Sequence, residues 1–335
     1  MSLYSEKLNI PRVKLARLPT PLVPLKRFSA KHGLPTIWLK RDDLTDTNAS
    51  GNKLRKLEFS IGQALSEGAT RLITCGGTQS NHCRATAIVA SQLGLKSHLI
   101  LRGSPDSPLD GNLLLDKLVG ADMTFVNPTE FSNLDKLFAE KQAHYTRLGE
   151  TCYQIPLGAS DEVGMWGYIE ACYEIKNQME SHEFDFDYIF SASGSGGTAA
   201  GLVVGKQLYD LEPEIISFNV SQNAAHFETK IAADIGTWQK RYFHQLDQAN
   251  LEINFEDGYV GEGYGIASEP VFDLIGDLAR TEGVILDPVY TAKAFYGLMS
   301  ELNKGRFRDS ENILFLHTGG IFGLFPQKEL LFSES

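Results

Sequence analysis

From Arg71 onward the chain alternates short apolar runs with longer amphipathic ones, and this alternation limits its fold more than any other feature. Arg71–Cys75, Ser97–Leu101, Met123–Val126, Cys152–Ile155, Tyr188–Ser191, Ile215–Val220 and Ile313–Leu316 read as strands. Helices are expected after Asn81 through Leu93, over Asn112–Val119, Leu134–Leu148, Glu162–Met179 and Thr198–Tyr209, near 270–280 and at 291–302. Ile37–Lys40 adds an early strand, and residues 1–35 are expected to be irregular, with Pro19-Thr20-Pro21 marking extended chain. Repeated βα units build a parallel sheet covered on both faces, an α/β architecture. Ligands then bind at the carboxyl ends of strands. The segments to inspect are 76–81, 157–160, 191–198, 221–225 and 317–323.

The length, 335 residues, suits two domains or one large one. A net charge of −11 argues against nucleic acid or an anionic membrane as the main partner. Charged residues break up the first stretch, Met1 to Leu18, so no signal peptide is expected, and no window has the length of a membrane span. Cys75, Cys83, Cys152 and Cys172 lack both C-x-x-C and zinc spacing, so reduced thiols and no metal site are expected. These features fit a cytoplasmic enzyme.

Ser50-Gly51-Asn52-Lys53 reads as a helix start, with Leu54, Leu57, Ile61 and Leu65 forming one apolar stripe. Lys53 sits at the edge of that stripe, while Arg55 and Lys56 are expected to point elsewhere. A lysine turned inward at a helix N-terminus loses water beside positive N–H groups, which favours the neutral amine that a Schiff-base lysine needs. On position alone a solvated basic face explains it as well.

Ser191-Ala192-Ser193-Gly194-Ser195-Gly196-Gly197-Thr198 follows a strand and opens a helix, the pattern of a phosphate cradle. It lacks the Lys of a P-loop. Gly194-x-Gly196-x-x-Ala199 formally matches a dinucleotide fingerprint, but the next strand ends Phe218-Asn219-Val220-Ser221 with no carboxylate for a ribose. A single phosphate, as on pyridoxal phosphate, and a simple tight turn are the remaining readings. Gly76–Asn81 is a second loop entering a helix, suited to a carboxylate or to ordinary capping. His317-Thr318-Gly319-Gly320 places a hydroxyl and flexible backbone at a strand end.

Taken together these motifs resemble the D-cysteine desulfhydrase and 1-aminocyclopropane-1-carboxylate (ACC) deaminase family, a branch of the tryptophan-synthase-β-like, fold-type-II pyridoxal-phosphate enzymes. The similarity rests on Lys40-Arg41-Asp42-Asp43, Gly51-Asn52-Lys53-Leu54-Arg55-Lys56-Leu57-Glu58, Gln79-Ser80-Asn81-His82, Tyr264-Gly265 and Asp287-Pro288-Val289-Tyr290, and runs from Pro19 to Gly320. It implies two open parallel-sheet domains: a large cofactor-binding domain of residues 1–48 and 160–335, and an inserted small domain, 49–159, carrying Lys53 and the carboxylate loop. It further implies that Lys53 forms the Schiff base with pyridoxal 5′-phosphate, and that Gly194, Ser195, Gly196, Gly197 and Thr198 hold its phosphate. Asn81 would meet the pyridine 3′-oxygen and Ser80 the substrate carboxylate. Tyr264 and Tyr290 would be the two active-site phenols. Thr318 would face the ring nitrogen, where a hydroxyl gives a weaker electron sink than a carboxylate. The resemblance implies a small amino-acid substrate and a homodimer.

Two positions divide the family. ACC deaminases resemble one another in having Glu after the Tyr290-type tyrosine and Leu before the late Gly-Gly, whereas this chain has Thr291 and Thr318. That favours α,β-elimination from D-cysteine over ACC ring opening or L-cysteate desulfonation. The chain departs from the desulfhydrase pattern at Ala159, Asp161, Trp166, Ile321 and Phe322, which are expected to alter the substrate pocket.

Overall fold

The computed structural model describes residues 3–247 and 251–331. Its elements run in chain order as α1 (Tyr4–Lys7), β1 (Leu22–Pro24), α2 (Lys26–His32), β2 (Thr36–Lys40), α3 (Asn52–Ser66), β3 (Arg71–Gly77), α4 (Asn81–Gln92), β4 (Lys96–Arg102), α5 (Gly111–Leu118), β5 (Asp122–Val126), α6 (Pro128–Phe131), α7 (Leu134–Arg147), β6 (Cys152–Gln154), α8 (Trp166–His182), β7 (Tyr188–Ser193), α9 (Gly197–Tyr209), β8 (Glu214–Asn219), α10 (Ala224–Tyr242), β9 (Asn254–Glu256), α11 (Glu269–Glu282), α12 (Thr291–Asn303) and β10 (Asn312–Leu316). Two sheets result, of order β1-β2-β10-β7-β8-β9 and β5-β4-β3-β6. Both are parallel except for the edge strand β1, which runs antiparallel to β2.

The strands of the larger sheet alternate their side chains between two cores, as strand geometry requires. Ile189, Ile215, Leu314 and Leu316 face α8, α9 and α10. Phe190, Ile216, Phe218, Ile313 and Phe315 face α2, α11 and α12. In the smaller sheet, Leu72 packs with α3 and α4, Ile73, Cys75 and Ile100 pack with α7, and Leu99 and Leu101 pack with α4 and α5.

Several expectations need correction. Residues 1–35 are not irregular, since α1, β1 and α2 fall within them. The helix expected over Glu162–Met179 begins only at Trp166, because the Asp161 carboxylate accepts from the Gly164 N–H at 2.7 Å and holds 161–165 in turns. β7 runs on to Ser193 and α9 opens at Gly197, which shortens the glycine loop to three residues. The α3 stripe is different too. Leu65 is 41 % exposed, and Arg55 and Lys56 are buried. The helix lies between the two cores, with Leu54, Leu57 and Ile61 in the smaller and Phe59 in the larger.

Arg55 crosses to the larger sheet. Its guanidinium donates to both oxygens of Asp42 at 2.8 and 2.9 Å and to both of Glu174 at 2.9 Å. Lys40, Tyr168 and Thr20 complete this buried network. Burial alone would raise the Glu174 carboxyl, but Arg55 and Lys40 overcome it and draw the group down to about 2.

Candidate active site

A cleft of about 470 Å³ opens between the carboxyl ends of the two sheets, a size suited to a small-molecule site. It is lined by Asn52 and Lys53 from the start of α3, by Gly76, Gly77 and Ser80 to His82 around the end of β3, and by Pro156, Leu157, Gly158 and Ser160 after β6. The ends of β7, β8 and β10 contribute Ala192 to Gly196 with Thr198, Ser221 with Gln222, and Thr318 with Gly319. Tyr264 and Tyr290 close it. Ser80, Asn81, Lys53, Gly194, Ser195, Gly196, Thr198, Tyr264, Tyr290 and Thr318 therefore share one cleft, and Gly197 lies immediately behind its wall.

The glycine loop turns sharply into a helix, and the Gly197 N–H donates to Ser160 Oγ at 3.3 Å. Gly196 adopts φ +84°, and α9 starts at the next residue, so the helix N-terminus points into the cleft. Three hydroxyls gather there. Ser160 Oγ and Ser195 Oγ share a hydrogen bond of 2.8 Å, and Thr198 Oγ1 accepts from Asn52 Nδ2 at 3.1 Å. Lys56, buried instead of pointing elsewhere, belongs to this cradle. Its Nζ donates to the Gly158 carbonyl at 3.1 Å and would lie 2.9 Å from a side chain at Gly197. Loss of water pulls its pKa well down, and the neighbouring Lys53 and Lys230 add to that. No carboxylate among the described residues lies within ion-pair distance of it. A buried lysine amine, hydroxyls and a helix N-terminus converging on one point suit a phosphate dianion.

Lys53 is half-buried, with Nζ 3.2 Å from Asn52 Oδ1 and 6.0 Å from the centre of the Tyr290 ring. The surrounding walls strip water from it and bring its pKa to about 8, against a smaller opposing pull from the buried Asp287 carboxylate. At neutral pH a fraction of the amine is therefore neutral, as carbonyl capture requires. The backbone behind it is fixed by close approach. The Asn52 N–H donates to the Thr318 carbonyl at 3.1 Å, and Gly51, at φ +111°, lies so near that any side chain there would come within 2.7 Å of the same oxygen.

On the opposite wall Ser80 caps α4, accepting from the Cys83 N–H at 3.2 Å while its own O–H stays free to donate. Asn81 Oδ1 accepts from Asn112 Nδ2 at 3.0 Å, which turns its amide nitrogen toward the cleft. The Tyr264 and Tyr290 hydroxyls hydrogen-bond to each other, and burial raises both phenols, so both are protonated at neutral pH. Tyr290 is placed by Asp287, whose Oδ2 accepts from the Val289 and Tyr290 N–H groups at 3.0 Å, and whose Oδ1 accepts from Thr291 N and Oγ1 at 2.8 and 2.7 Å. The sequence motif contains Asp287, but its part in seating Tyr290 emerges only from these bonds.

Ser193 Oγ is buried in the cleft wall with no hydrogen-bond partner among the described residues. A polar group so placed points to a bound polar molecule. The departures at Ala159, Asp161, Trp166, Ile321 and Phe322 do not reach the cleft. Ala159 sits in the smaller core at φ +48°. Asp161 closes the turn before α8. Trp166 packs on Phe59, Trp238 and Tyr242, and the Phe322 ring lies under the Arg84 guanidinium. Thr291 is likewise buried on Asp287.

The fold and this cleft define a pyridoxal-phosphate-dependent enzyme, and residues 13–319 match the family model of that description. A Thermotoga maritima protein provisionally named an ACC deaminase is 44 % identical over 96 % of this chain and 99 % of its own length. The bifunctional D-cysteine desulfhydrase/ACC deaminase of Arabidopsis thaliana is 38 % identical over 95 % of this chain and 80 % of its own. The D-cysteine desulfhydrase of Klebsiella pneumoniae is 40 % identical over 95 % and 96 %. A solved ACC deaminase homologue superposes with a TM-score of 0.90 at 36 % identity, covering 99 % of both chains. O-ureido-L-serine synthase, at TM-score 0.66 and 17 % identity, shares the fold. The chain belongs to the D-cysteine desulfhydrase and ACC deaminase family of pyridoxal-phosphate-dependent lyases. Among the described residues no helix is long and apolar enough to cross a membrane, and no cluster of His, Cys, Asp and Glu has the makings of a metal site.

Proposed function

We propose that the enzyme carries out α,β-elimination on a small D-amino acid with a β-leaving group, D-cysteine first, giving pyruvate, hydrogen sulfide and ammonia with uptake of one water. The observation that carries this reading is that, among the described residues, no carboxylate lines the cofactor end of the cleft, the nearby Asp287 being buried behind it and engaged by the Val289, Tyr290 and Thr291 N–H groups. Thr318 stands there with a hydroxyl, and Asp135, a lining carboxylate, lies on α7. Opening a cyclopropane ring asks more of the ring electronics than expelling sulfide does.

Bound pyridoxal phosphate supplies the electron sink for breaking the bond from Cα to hydrogen. Lys53 would anchor it, and the Lys53 amine or a cleft tyrosine would take the proton from Cα. Lys56, Ser160, Ser195, Thr198, Asn52 and the N–H groups of Gly194 to Gly197 hold the phosphate. Asn81 donates toward the 3′-oxygen, and Thr318 faces the ring nitrogen. Ser80 and the first N–H groups of α4 take the substrate carboxylate. The Tyr264–Tyr290 pair, protonated at neutral pH, delivers a proton to the departing sulfur. The inserted segment 49–159 acts as the small domain against residues 1–48 and 160–335, and the enzyme works as a homodimer in the cytoplasm.

The Thermotoga relative's name favours a second reading, ACC deamination to 2-oxobutyrate and ammonia. An assay of purified holoenzyme with D-cysteine, L-cysteine, L-cysteate and ACC separates the two. Sulfide and pyruvate from D-cysteine are expected. 2-Oxobutyrate from ACC with no sulfide from D-cysteine would overturn the elimination reading. Lys53→Ala should lose the cofactor's Schiff-base absorbance, and an unchanged spectrum would sink the assignment of Lys53.

A further inference from the structure

Arg102 lines the cleft and has no place in the chemistry described so far. It closes β4, and its Cα is the register partner of Gly77, so it stands beside the Gly76–Ser80 loop. Its guanidinium lies over two rings, Phe131 at 5.4 Å and Tyr264 at 5.9 Å. Among the described residues no carboxylate comes within ion-pair distance of it. The other cations of the cleft are accounted for. Lys53 holds the cofactor. Lys230 pairs with Asp234 and sits by the glycine loop, reaching the Ser160 carbonyl at 3.4 Å. Arg102 is therefore an uncommitted positive charge beyond the two phenols, away from the phosphate cradle, where the side chain of a bound amino acid must extend. Phe131, Leu134 and Phe138 form an apolar wall nearby. The stacked rings restrict the guanidinium to this mouth and leave its donors free.

We propose that Arg102 determines specificity for the β-substituent of the substrate, favouring groups that carry or develop negative charge. In the elimination, the Cα–H electron pair becomes the second bond between Cα and Cβ, and the Cβ–S pair leaves on sulfur. A guanidinium at the mouth stabilises that sulfur before a phenol protonates it. For a substituent already anionic, such as a carboxylate or sulfonate, Arg102 acts on binding as well. Asp135 on the same rim is the opposing charge, and it makes no ion pair with Arg102.

The inference rests on the elimination reading, so its test uses ligands that are not eliminated. Holoenzyme is titrated with D-aspartate and D-asparagine, matched in shape and differing by one negative charge, while the cofactor's absorbance is followed. Arg102 is exposed, so solvent screens the pair, and about two- to fivefold tighter binding of D-aspartate is expected. Arg102→Gln should bring the ratio to about one, and Arg102→Lys should keep most of the preference. A wild-type ratio at or below one, or a ratio that Arg102→Gln leaves in place, overturns the inference. The L-enantiomers are run in parallel. An Arg102-dependent preference seen only with them would uphold the role of Arg102 while refuting D-selectivity.

Discussion

Arg55→Met is the most informative perturbation of the scaffold. The substitution keeps the stem's volume and removes a guanidinium that is 2 % exposed and bound to both oxygens of Asp42 and of Glu174. Asp42 is fully buried and would keep only Tyr168 and Thr20. Glu174 would keep Lys40 and Thr20. Removing one partner of a buried ion pair typically costs 3–5 kcal/mol, because the other charge is left uncompensated. The surviving donors offset part of that here, so a loss of about 3 kcal/mol is expected. Urea unfolding at pH 7, followed by circular dichroism and fluorescence together, measures it. The sign of the pH dependence is a second check. Glu174 titrates at about 2 in the folded chain, below its unfolded value of about 4.3. Its stabilisation is therefore complete above pH 4.3 and fades as pH falls toward 2. Arg55→Met should flatten that acid limb. A loss below about 1 kcal/mol at pH 7 with an unchanged acid limb would show that the network contributes little, and would refute the reasoning.

Other perturbations separate the site's parts. The rate at which apoprotein captures pyridoxal phosphate should rise with pH and level off above about 8, where Lys53 becomes neutral; an inflection near 10 would show that burial does not tune it. Lys56→Met should weaken cofactor retention at least tenfold, read by dialysis and absorbance, while leaving apoprotein stability equal or higher, because it removes an amine that burial penalises. Retention equal to wild type would exclude Lys56 from the phosphate site. Asp287→Ala leaves three backbone N–H groups and the Thr291 hydroxyl without their acceptor, and should cost about 3 kcal/mol in urea unfolding together with most of the turnover. Full turnover in a stably folded variant would mean that Tyr290 is not held by Asp287.

The parallel architecture was legible because its signal is local. Ile313 to Leu316 is apolar at every position and Ile189-Phe190 is an apolar pair, which is how a strand covered on both faces must read. The glycine loop and Lys53 were legible for the same reason, since capping residues and helix starts lie next to each other in sequence. Two kinds of feature escaped. Helix α10 carries Phe227, Ile231, Ile235 and Trp238 at helical spacing behind an Asn223 cap, so its signal was present and went unread. The burial of Arg55 and Lys56 could not be read at all. Asp42 is near Arg55 in sequence, but the other partners, Glu174 of Arg55 and Gly158 of Lys56, stand more than a hundred positions away. The residues after Pro156 and Gly320 failed differently. Adjacency to a motif says nothing about direction, and Trp166 and Phe322 turn into packing instead of the cleft.

Gly51 and Gly319 meet backbone to backbone, and a side chain added to Gly319 would come within 2.9 Å of the Gly51 Cα. This contact joins the segment that carries Lys53 to the one that carries Thr318. It contains no rotatable side-chain bond, so rotamer exchange elsewhere in the cleft does not alter the spacing of the two segments. The spacing of the amine and the hydroxyl is thus a property of the main chain. It tolerates drift in the surrounding packing and fails outright when either glycine gains a side chain.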